Sequence, residues 1–323
     1  MVTNYEISDS FAEEYRDTEE KQSYPTLSFV IPVNSDPQVE QTVRSILDAG
    51  YDNCEIIVAI TPTTGETMAL LEDLQEETDL LEVYTQEEYR TPGGNRNRGI
   101  EEATGDVVVF ADSDVTIGPL FPWKVAYLFE YSSVDYLGFS VDLEVQDGEK
   151  NLFNWYDKHV RFPVEFYMNY ALFCPTLCLA VRDELVEDIQ FEPWILSGED
   201  MVFGKLAAYK NYEFGFCDDA VVKHPTRNTF EDIVGVGEKT GRGAYQMYAH
   251  LPVDVFETES RLLTAKAYTP RSFEYLSDIC DDWDELQTYE KVLIWLVSYI
   301  EILARTWGYA LQAKDDFKHR VTQ

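Results

Sequence analysis

Between residues 27 and 111 four short apolar runs alternate with three segments of helical period, and that alternation leaves few architectures open. Residues 27–33 (Leu-Ser-Phe-Val-Ile-Pro-Val) read as a strand, with Asn34-Ser-Asp-Pro as its exit loop. Val39, Val43, Ile46 and Leu47 recur at helical spacing over 38–49, and Gly50 closes that helix. A second strand spans 55–60, a second helix 65–78 with Met68, Leu71 and Leu74 in period, and a short third strand 81–84. A third helix covers 95–103 and ends at Gly105, and the fourth strand is 107–111. Strands this uniformly apolar are covered on both faces, so the series predicts a parallel sheet between helical layers. No Gly-x-Gly-x-x-Gly fingerprint accompanies it.

Beyond residue 115 the rhythm changes. Residues 120–131 read as a helix and 134–146 as a strand with polar alternation. An aromatic-rich stretch follows at 152–173, then a strand at 174–181, a short helix at 182–188 and a longer one at 198–209. From about 244 onward the pattern is helical and carries its own aromatic load.

Charge narrows the function. Against 60 Asp and Glu there are 25 Lys and Arg, a net charge of −35 spread along the whole length. Such a surface repels nucleic-acid phosphates, so no nucleic-acid partner is expected. It stays folded where salt is concentrated, because molar ionic strength screens self-repulsion within a few ångströms; a salt-rich cytoplasm is the implied setting. The cysteines Cys54, Cys174, Cys178, Cys217 and Cys280 show no paired spacing, which predicts buried thiols in a reducing compartment and suggests no zinc site. The acidic first 24 residues are the opposite of a signal peptide, and no apolar run reaches the roughly 20 residues that cross a bilayer.

The chemistry concentrates in a few places. Strand 107–111 delivers Asp112 and Asp114 just past its carboxyl end, where open α/β sheets bind ligands. Two carboxylates there suit a hard divalent cation shared with substrate phosphates; the competing reading is a polar turn closing the strand. Arg90, Arg96 and Arg98 cluster without an intervening acid, and Lys223, His224, Arg227, Lys239 and Arg242 form a second concentration. In so acidic a chain these point to anion binding, with salt bridging to nearby acids as the rival. In Ser197-Gly-Glu-Asp, Glu199 and Asp200 either complement a helix start or, beside a cleft, supply a general base.

Five segments in this order resemble the family 2 glycosyltransferases of the GT-A fold: Phe29-Val-Ile-Pro-Val-Asn; Gly93-Gly-Asn-Arg-Asn-Arg-Gly-Ile with Ala103-Thr-Gly-Asp; Phe110-Ala-Asp-Ser-Asp; Gly198-Glu-Asp; and Ala220-Val-Val-Lys-His-Pro. The likeness spans about 25–245 and, with the charge, suggests a halophilic archaeal type. It implies an α/β GT-A fold: a Rossmann-like, mostly parallel sheet flanked by helices, with a C-terminal helical extension. The organisation expected is an acidic leader over 1–24, mobile or loosely docked, and a glycosyltransferase domain over 25–243. Within that domain 25–118 would bind the nucleotide-sugar and 119–243 the acceptor, and 244–323 would form the extension.

Carried over by position, the resemblance puts Pro32, Val33, Asn34, Thr61, Arg96, Asn97, Asp112 and Arg242 around the nucleotide-sugar. It gives a Mg²⁺ or Mn²⁺ ion to Asp112, Asp114 and His224, and the role of base to Asp200, with Glu199 second. Thr61 departs from the pattern, since many members end that strand with Asp-Asp or Asp-Asn. The implied reaction is inverting transfer from a nucleoside-diphosphate sugar to an acceptor hydroxyl, on a glycan assembled on an isoprenoid lipid carrier. Rival readings are transfer onto a polyprenyl phosphate, a nucleotidyltransferase, or a non-catalytic relative serving as scaffold. The nucleotidyltransferase reading lacks its glycine-rich, lysine-bearing loop at 33–37. Finally, Leu286, Tyr289, Leu293, Leu296, Ile300, Leu303, Trp307 and Ala310 form one apolar stripe, widened by Ile294, Trp295, Val297 and Ile302. Core packing is one fate for it. The other is contact of 289–311 with a membrane surface or partner, which would place a cytoplasmic enzyme peripherally at the cell membrane.

Overall fold

The computed structural model describes residues 2–18, 24–63, 65–145, 150–251, 269–280 and 282–322. The chain divides into two compact units: residues 1–142, 167–194 and 200–224 form the first, and 143–166, 195–199 and 225–323 the second.

The first unit is built on a mixed sheet. Its parallel part comprises β2 (Leu27–Val33), β3 (Cys54–Ile60), β4 (Leu81–Thr85) and β5 (Val107–Phe110), joined through α2 (Val39–Asp48), α3 (Glu66–Glu77) and α4 (Pro92–Ile100). The first strand, β2, lies inside: β3 and β4 are laid down on one side of it and β5 on the other. The order therefore reverses between β2 and β5, which opens a crevice at their carboxyl ends. Leu27, Phe29, Val30, Ile31 and Val107 are fully buried, as expected of strands covered on both faces. Helix α4 approaches β2 closely because Gly99 has no side chain; a Cβ there would stand 2.5 Å from a methyl of Val30.

Past β5 the sheet continues with antiparallel pairings. A short strand β6 (Thr116–Ile117), helix α5 (Phe121–Tyr131) and strand β7 (Tyr136–Glu144) follow, then α6 (Leu152–Val160) and α7 (Val164–Ala171). Next come β8 (Leu179–Arg182), α8 (Asp183–Asp188), α9 (Glu199–Tyr209) and β9 (Phe214–Pro225). β8 runs antiparallel to both β5 and β7, and β6 antiparallel to β9. Of the expected strand at 174–181 only the end is extended, because Thr176–Cys178 makes a 3-10 turn.

The acidic leader departs from expectation. Residues Thr3–Tyr5 (β1) add a parallel strand to β9, and Asp9–Asp17 (α1) packs on α5. Ala12 and Tyr15 are buried, the Tyr15 ring lies against Tyr24 and Tyr127, and Lys124 pairs with Asp9 at 2.6 Å. Seven acids obscured a narrow apolar face.

The second unit is helical: α6, α10 (Phe230–His250), α11 (Phe273–Ile279) and α12 (Thr288–Thr322). Tyr156, Val160, Ile233, Leu276, Ile279, Trp283, Ile294 and Val297 form its core. α10 and α12 pack so closely that Gly237, Gly241 and Gly308 lie against the other helix's backbone. Helix α10 runs unbroken across the junction of residues 243 and 244, where the extension was expected to begin. Burial on α12 falls on Ile294, Val297, Ser298, Ile302 and Ala304, whereas Tyr289, Leu296, Leu303 and Trp307 of the counted stripe are exposed. No helix among the described residues is long and apolar enough to cross a membrane.

Candidate active site

In the first unit, the segment leaving β5 is pinned to the loop leaving β2. Ser113 donates its hydroxyl to Asp36 Oδ2 at 2.7 Å, and its carbonyl accepts from Thr42 Oγ1 at 2.9 Å. Asp112 and Asp114, on either side of Ser113, are thus held at the mouth of the crevice, both partly exposed. Asp36, Ser113 and Thr42 were not singled out from sequence; the Asp-Pro turn after the first strand was their one signal.

Arg96 reaches Asp112 from α4. Its guanidinium, 3% exposed, donates Nη2–H to Asp112 Oδ1 at 2.7 Å and lies over the Phe191 ring. The helix is started by Thr91, whose hydroxyl accepts from Gly94 N at 3.1 Å, with Pro92 in the first turn. That start places Asn95 beneath the crevice. Asn95 Nδ2 donates to the Val33 carbonyl at 3.0 Å and lies 3.2 Å from Thr61 Oγ1. The Thr61 N–H also donates to the Val33 carbonyl at 3.0 Å. Val33 and Thr61 are buried, Pro32 is half-buried and Asn34 is exposed. The strand ends are thereby locked together, and Thr61 acts as a brace between them.

Asn97 takes a different part from its neighbour Arg96. Its amide donates to the Phe191 carbonyl at 2.8 Å and accepts from the Phe191 N–H at 2.9 Å, which fixes the segment that backs Arg96. Arg98 is drawn into ion pairs with Glu101 at 3.0 Å and Glu102 at 2.6 Å. Of the first basic cluster, only Arg96 is shown at the aspartates; for Arg98 local salt bridging prevails.

His224 completes the group. The pairing of β6 with β9 sets Thr116 opposite Lys223, so the next residue along β9 falls beside the segment that precedes β6. His224, 6% exposed, stands with Nε2 3.3 Å from Asp114 Oδ1. Two donors on one six-coordinate Mg²⁺ or Mn²⁺, each bound at about 2.1 Å, stand roughly 3 Å apart, so this pair fits such an ion. Asp112 is turned to Arg96 and is not gathered with them into a three-residue ligand cluster among the described residues.

The base candidates sit at the start of α9. Asp200 belongs to the first unit and accepts from the Met201 N–H at 2.8 Å. Its charge is felt by the buried Tyr136 hydroxyl and Cys174 thiol, both pushed up chiefly by burial. Glu199 belongs to the second unit and is buried. It follows Gly198, whose φ of 95° favours glycine, in a loop held where Leu196 N donates to Gln246 at 2.9 Å.

Arg242, also in the second unit, is committed to Glu238 at 3.1 Å and Asp315 at 3.2 Å, tying α10 to α12. Lys239 is exposed, and Arg227 pairs with the fully buried Asp157 at 3.5 Å together with Arg161 at 3.1 Å. The second basic concentration is contiguous in sequence but directed to several structural partners. Asp157 and Arg161 escaped notice because nothing in an aromatic-rich segment marks a buried ion pair.

A mixed sheet with its crevice at the order reversal, two aspartates after the fourth parallel strand, and a histidine facing one of them fit the GT-A fold, and similarity to known proteins makes the chain a glycosyltransferase. Residues 28–182 match the family described as Glycosyl transferase family 2, and the chain carries that domain. It is 23% identical to glycosyltransferase AglE of Haloferax volcanii over 69% of this chain and 74% of the relative. It is 30% identical to a GalNAc(5)-diNAcBac-PP-undecaprenol β-1,3-glucosyltransferase of Campylobacter jejuni, over 28% of this chain and 30% of that one. Its fold is similar to that of the mannosyltransferase PcManGT from Pyrobaculum calidifontis, solved with GDP-Man and Mn²⁺ (TM-score 0.60, 16% identity, 93% of this chain and 92% of that one). It is also similar to glucosyl-3-phosphoglycerate synthase from Mycobacterium tuberculosis, solved with Mg²⁺ and UDP (TM-score 0.52, 19% identity, 77% and 86%).

Proposed function

We propose that this glycosyltransferase is divalent-cation-dependent and inverting, and moves a sugar from a nucleoside-diphosphate sugar to a hydroxyl of a glycan acceptor. The observation that carries the reading is the pair of contacts at the crevice, Asp114 with His224 and Asp112 with Arg96. Asp114 and His224 would hold Mg²⁺ or Mn²⁺, which supplies positive charge to the diphosphate as it leaves. Arg96 orients Asp112 toward the donor and excludes water from beneath it. Asn95 and Thr61 fix the floor on which the nucleoside rests, beside the exposed Asn34. Asp200 accepts the proton of the acceptor hydroxyl as that oxygen bonds to the anomeric carbon and the bond to the diphosphate breaks. Attack opposite the leaving group inverts the anomeric centre.

The acceptor we infer is a growing glycan on an isoprenoid lipid diphosphate. A phosphate acceptor is already ionised and needs no base, so the Glu199–Asp200 pair favours a hydroxyl. The C. jejuni relative, by its description, acts on a glycan linked through diphosphate to undecaprenol. The charge of −35 supports a salt-rich cytoplasm, tested by activity as KCl is lowered; full activity in dilute buffer would contradict it. The reaction is tested with a panel of nucleotide-sugars and Mn²⁺ or Mg²⁺ in molar KCl. Release of nucleoside diphosphate with an inverted product supports the proposal. Pyrophosphate exchange, or no turnover with any donor and acceptor, overturns it.

A further inference from the structure

We propose that His159, Cys280 and Asp282 form a second metal site, for a zinc-class ion, independent of the proposed catalytic site. Nothing in the spacing of the cysteines suggested it. The fold of the second unit brings together residues more than 120 positions apart: His159 in the last turn of α6, and Cys280 and Asp282 just past α11. His159 Nδ1 lies 2.9 Å from Asp282 Oδ1, Cys280 Sγ lies 3.3 Å from the same oxygen, and all three donor atoms fall within 4.8 Å of one another. Among the described residues no other group of three or more His, Cys, Asp or Glu side chains converges in this way.

The donor set decides the metal. One thiolate, one imidazole and one carboxylate are a borderline-soft combination that suits Zn²⁺ over Mg²⁺ or Ca²⁺. Around a tetrahedral ion with bonds of about 2.0–2.3 Å, donors stand roughly 3.3–3.8 Å apart, so the two spacings to Asp282 Oδ1 need only small outward shifts, and the His159 Nδ1 to Cys280 Sγ separation is within 4.8 Å. The setting favours order: Cys280 is 2% exposed within the unit's core, and the Trp155 ring packs edge-on to the His159 ring at 4.8 Å. Asp282 reaches solvent, which leaves an entry path and a fourth position for water. On binding, Cys280 loses its thiol proton to solvent and the neutral imidazole donates its lone pair. The ion would staple α6 to the segment after α11, a role in the stability of the second unit.

Cobalt tests this directly, because a cobalt–thiolate bond gives a near-ultraviolet charge-transfer band that a carboxylate–imidazole site cannot. The full-length protein, stripped of metal by chelator in molar KCl, is titrated with Co²⁺. We expect the band to saturate at one equivalent, to be abolished by Zn²⁺, and to persist in Asp114→Ala. Cys280→Ser should remove it. Asp282→Asn, at a solvent-exposed position, should retain native circular dichroism and weaken Co²⁺ binding beyond the ~10–100-fold cost of losing a supporting contact. Zn²⁺ should also raise the Tm of the wild type and leave that of Cys280→Ser unchanged. No band in the folded wild type, or an undiminished band in Cys280→Ser, overturns the proposal.

Discussion

His224 Nε2 and Asp114 Oδ1 face each other at 3.3 Å across the pairing of β6 with β9, and that register is what joins the two ends of the site. Asp114 follows the fourth parallel strand, while His224 lies 110 positions later on a strand of opposite pairing. A two-residue strand therefore sets the geometry that a cation would use. Without it, neither residue has a reason to meet the other.

The first prediction follows from that pair. Asp114→Ala and His224→Ala should each abolish Mn²⁺-dependent binding of nucleoside diphosphate, and Asp114→Ala should leave the fold intact because its side chain is a quarter exposed. Isothermal titration with and without Mn²⁺ measures it. Unchanged metal dependence in both variants would remove the cation from this place.

Arg96 makes a second test. Its guanidinium is almost fully buried and its partner Asp112 about a third exposed, so solvent already screens part of the pair. Arg96→Ala should cost about 1–3 kcal/mol of stability, the penalty for stranding a polar partner, and weaken donor binding. Arg96→Lys keeps the charge but not the planar fork, and should restore stability more than binding. Chemical denaturation and donor titration of both variants separate the two effects.

The base assignment is tested by Asp200→Asn, which keeps the size and the hydrogen bond to the Met201 N–H but cannot take a proton. Donor binding should survive while transfer falls by roughly 10²–10⁴-fold. A variant that transfers at the wild-type rate would leave Asp200 a helix-start residue and move the role to Glu199.

Glu301 gives a pH prediction for the second unit. Burial would raise its pKa, but the opposing charges of Arg271, Arg227 and Arg305 and a hydrogen bond from Tyr156 at 2.8 Å hold it below the ordinary glutamate value. A depressed folded pKa means stability that is complete above the unfolded value of about 4.3 and is lost as pH falls toward the lower folded one. Glu301→Gln should therefore be less stable than wild type near neutrality, with the gap closing below about pH 4. Thermal melts across that range measure it; a gap independent of pH would deny the charge its role.

The parallel half was legible because each strand and helix there carries one strong period, and 27–33 and 107–110 stand as strands where expected. Asp112, Asp114 and Arg96 were legible for the same reason: each lies within a turn of a well-marked strand or helix. What escaped depended on long-range pairing. The braces from Asn95 to Val33 and from Ser113 to Asp36 join residues 62 and 77 positions apart. The leader's three buried residues, Ile7, Ala12 and Tyr15, were masked by acids, and Arg242 was grouped with His224 although its helix directs it to Asp315. Linear proximity of like charges says little about where helical rotation sends them.

The same rotation decides the last prediction, on membrane contact. The counted stripe of α12 carries Tyr289, Leu296, Leu303 and Trp307, which are 64%, 45%, 50% and 60% exposed, whereas the flanking Ile302 is 8% exposed. Small residues explain the turn: Gly308 and Ala304 press on α10, which rotates the bulky stripe outward. Aromatic and aliphatic side chains at heptad-like spacing then offer an apolar strip to a lipid surface, and concentrated salt screens the repulsion of an acidic protein from anionic headgroups. Leu303→Glu with Trp307→Glu changes that strip without touching the core, which a substitution at Ile302 would damage. Flotation with anionic-lipid vesicles in molar KCl should recover the wild type and lose most of the double variant, with circular dichroism unchanged. Wild-type protein that stays wholly unbound would leave the strip without a membrane role.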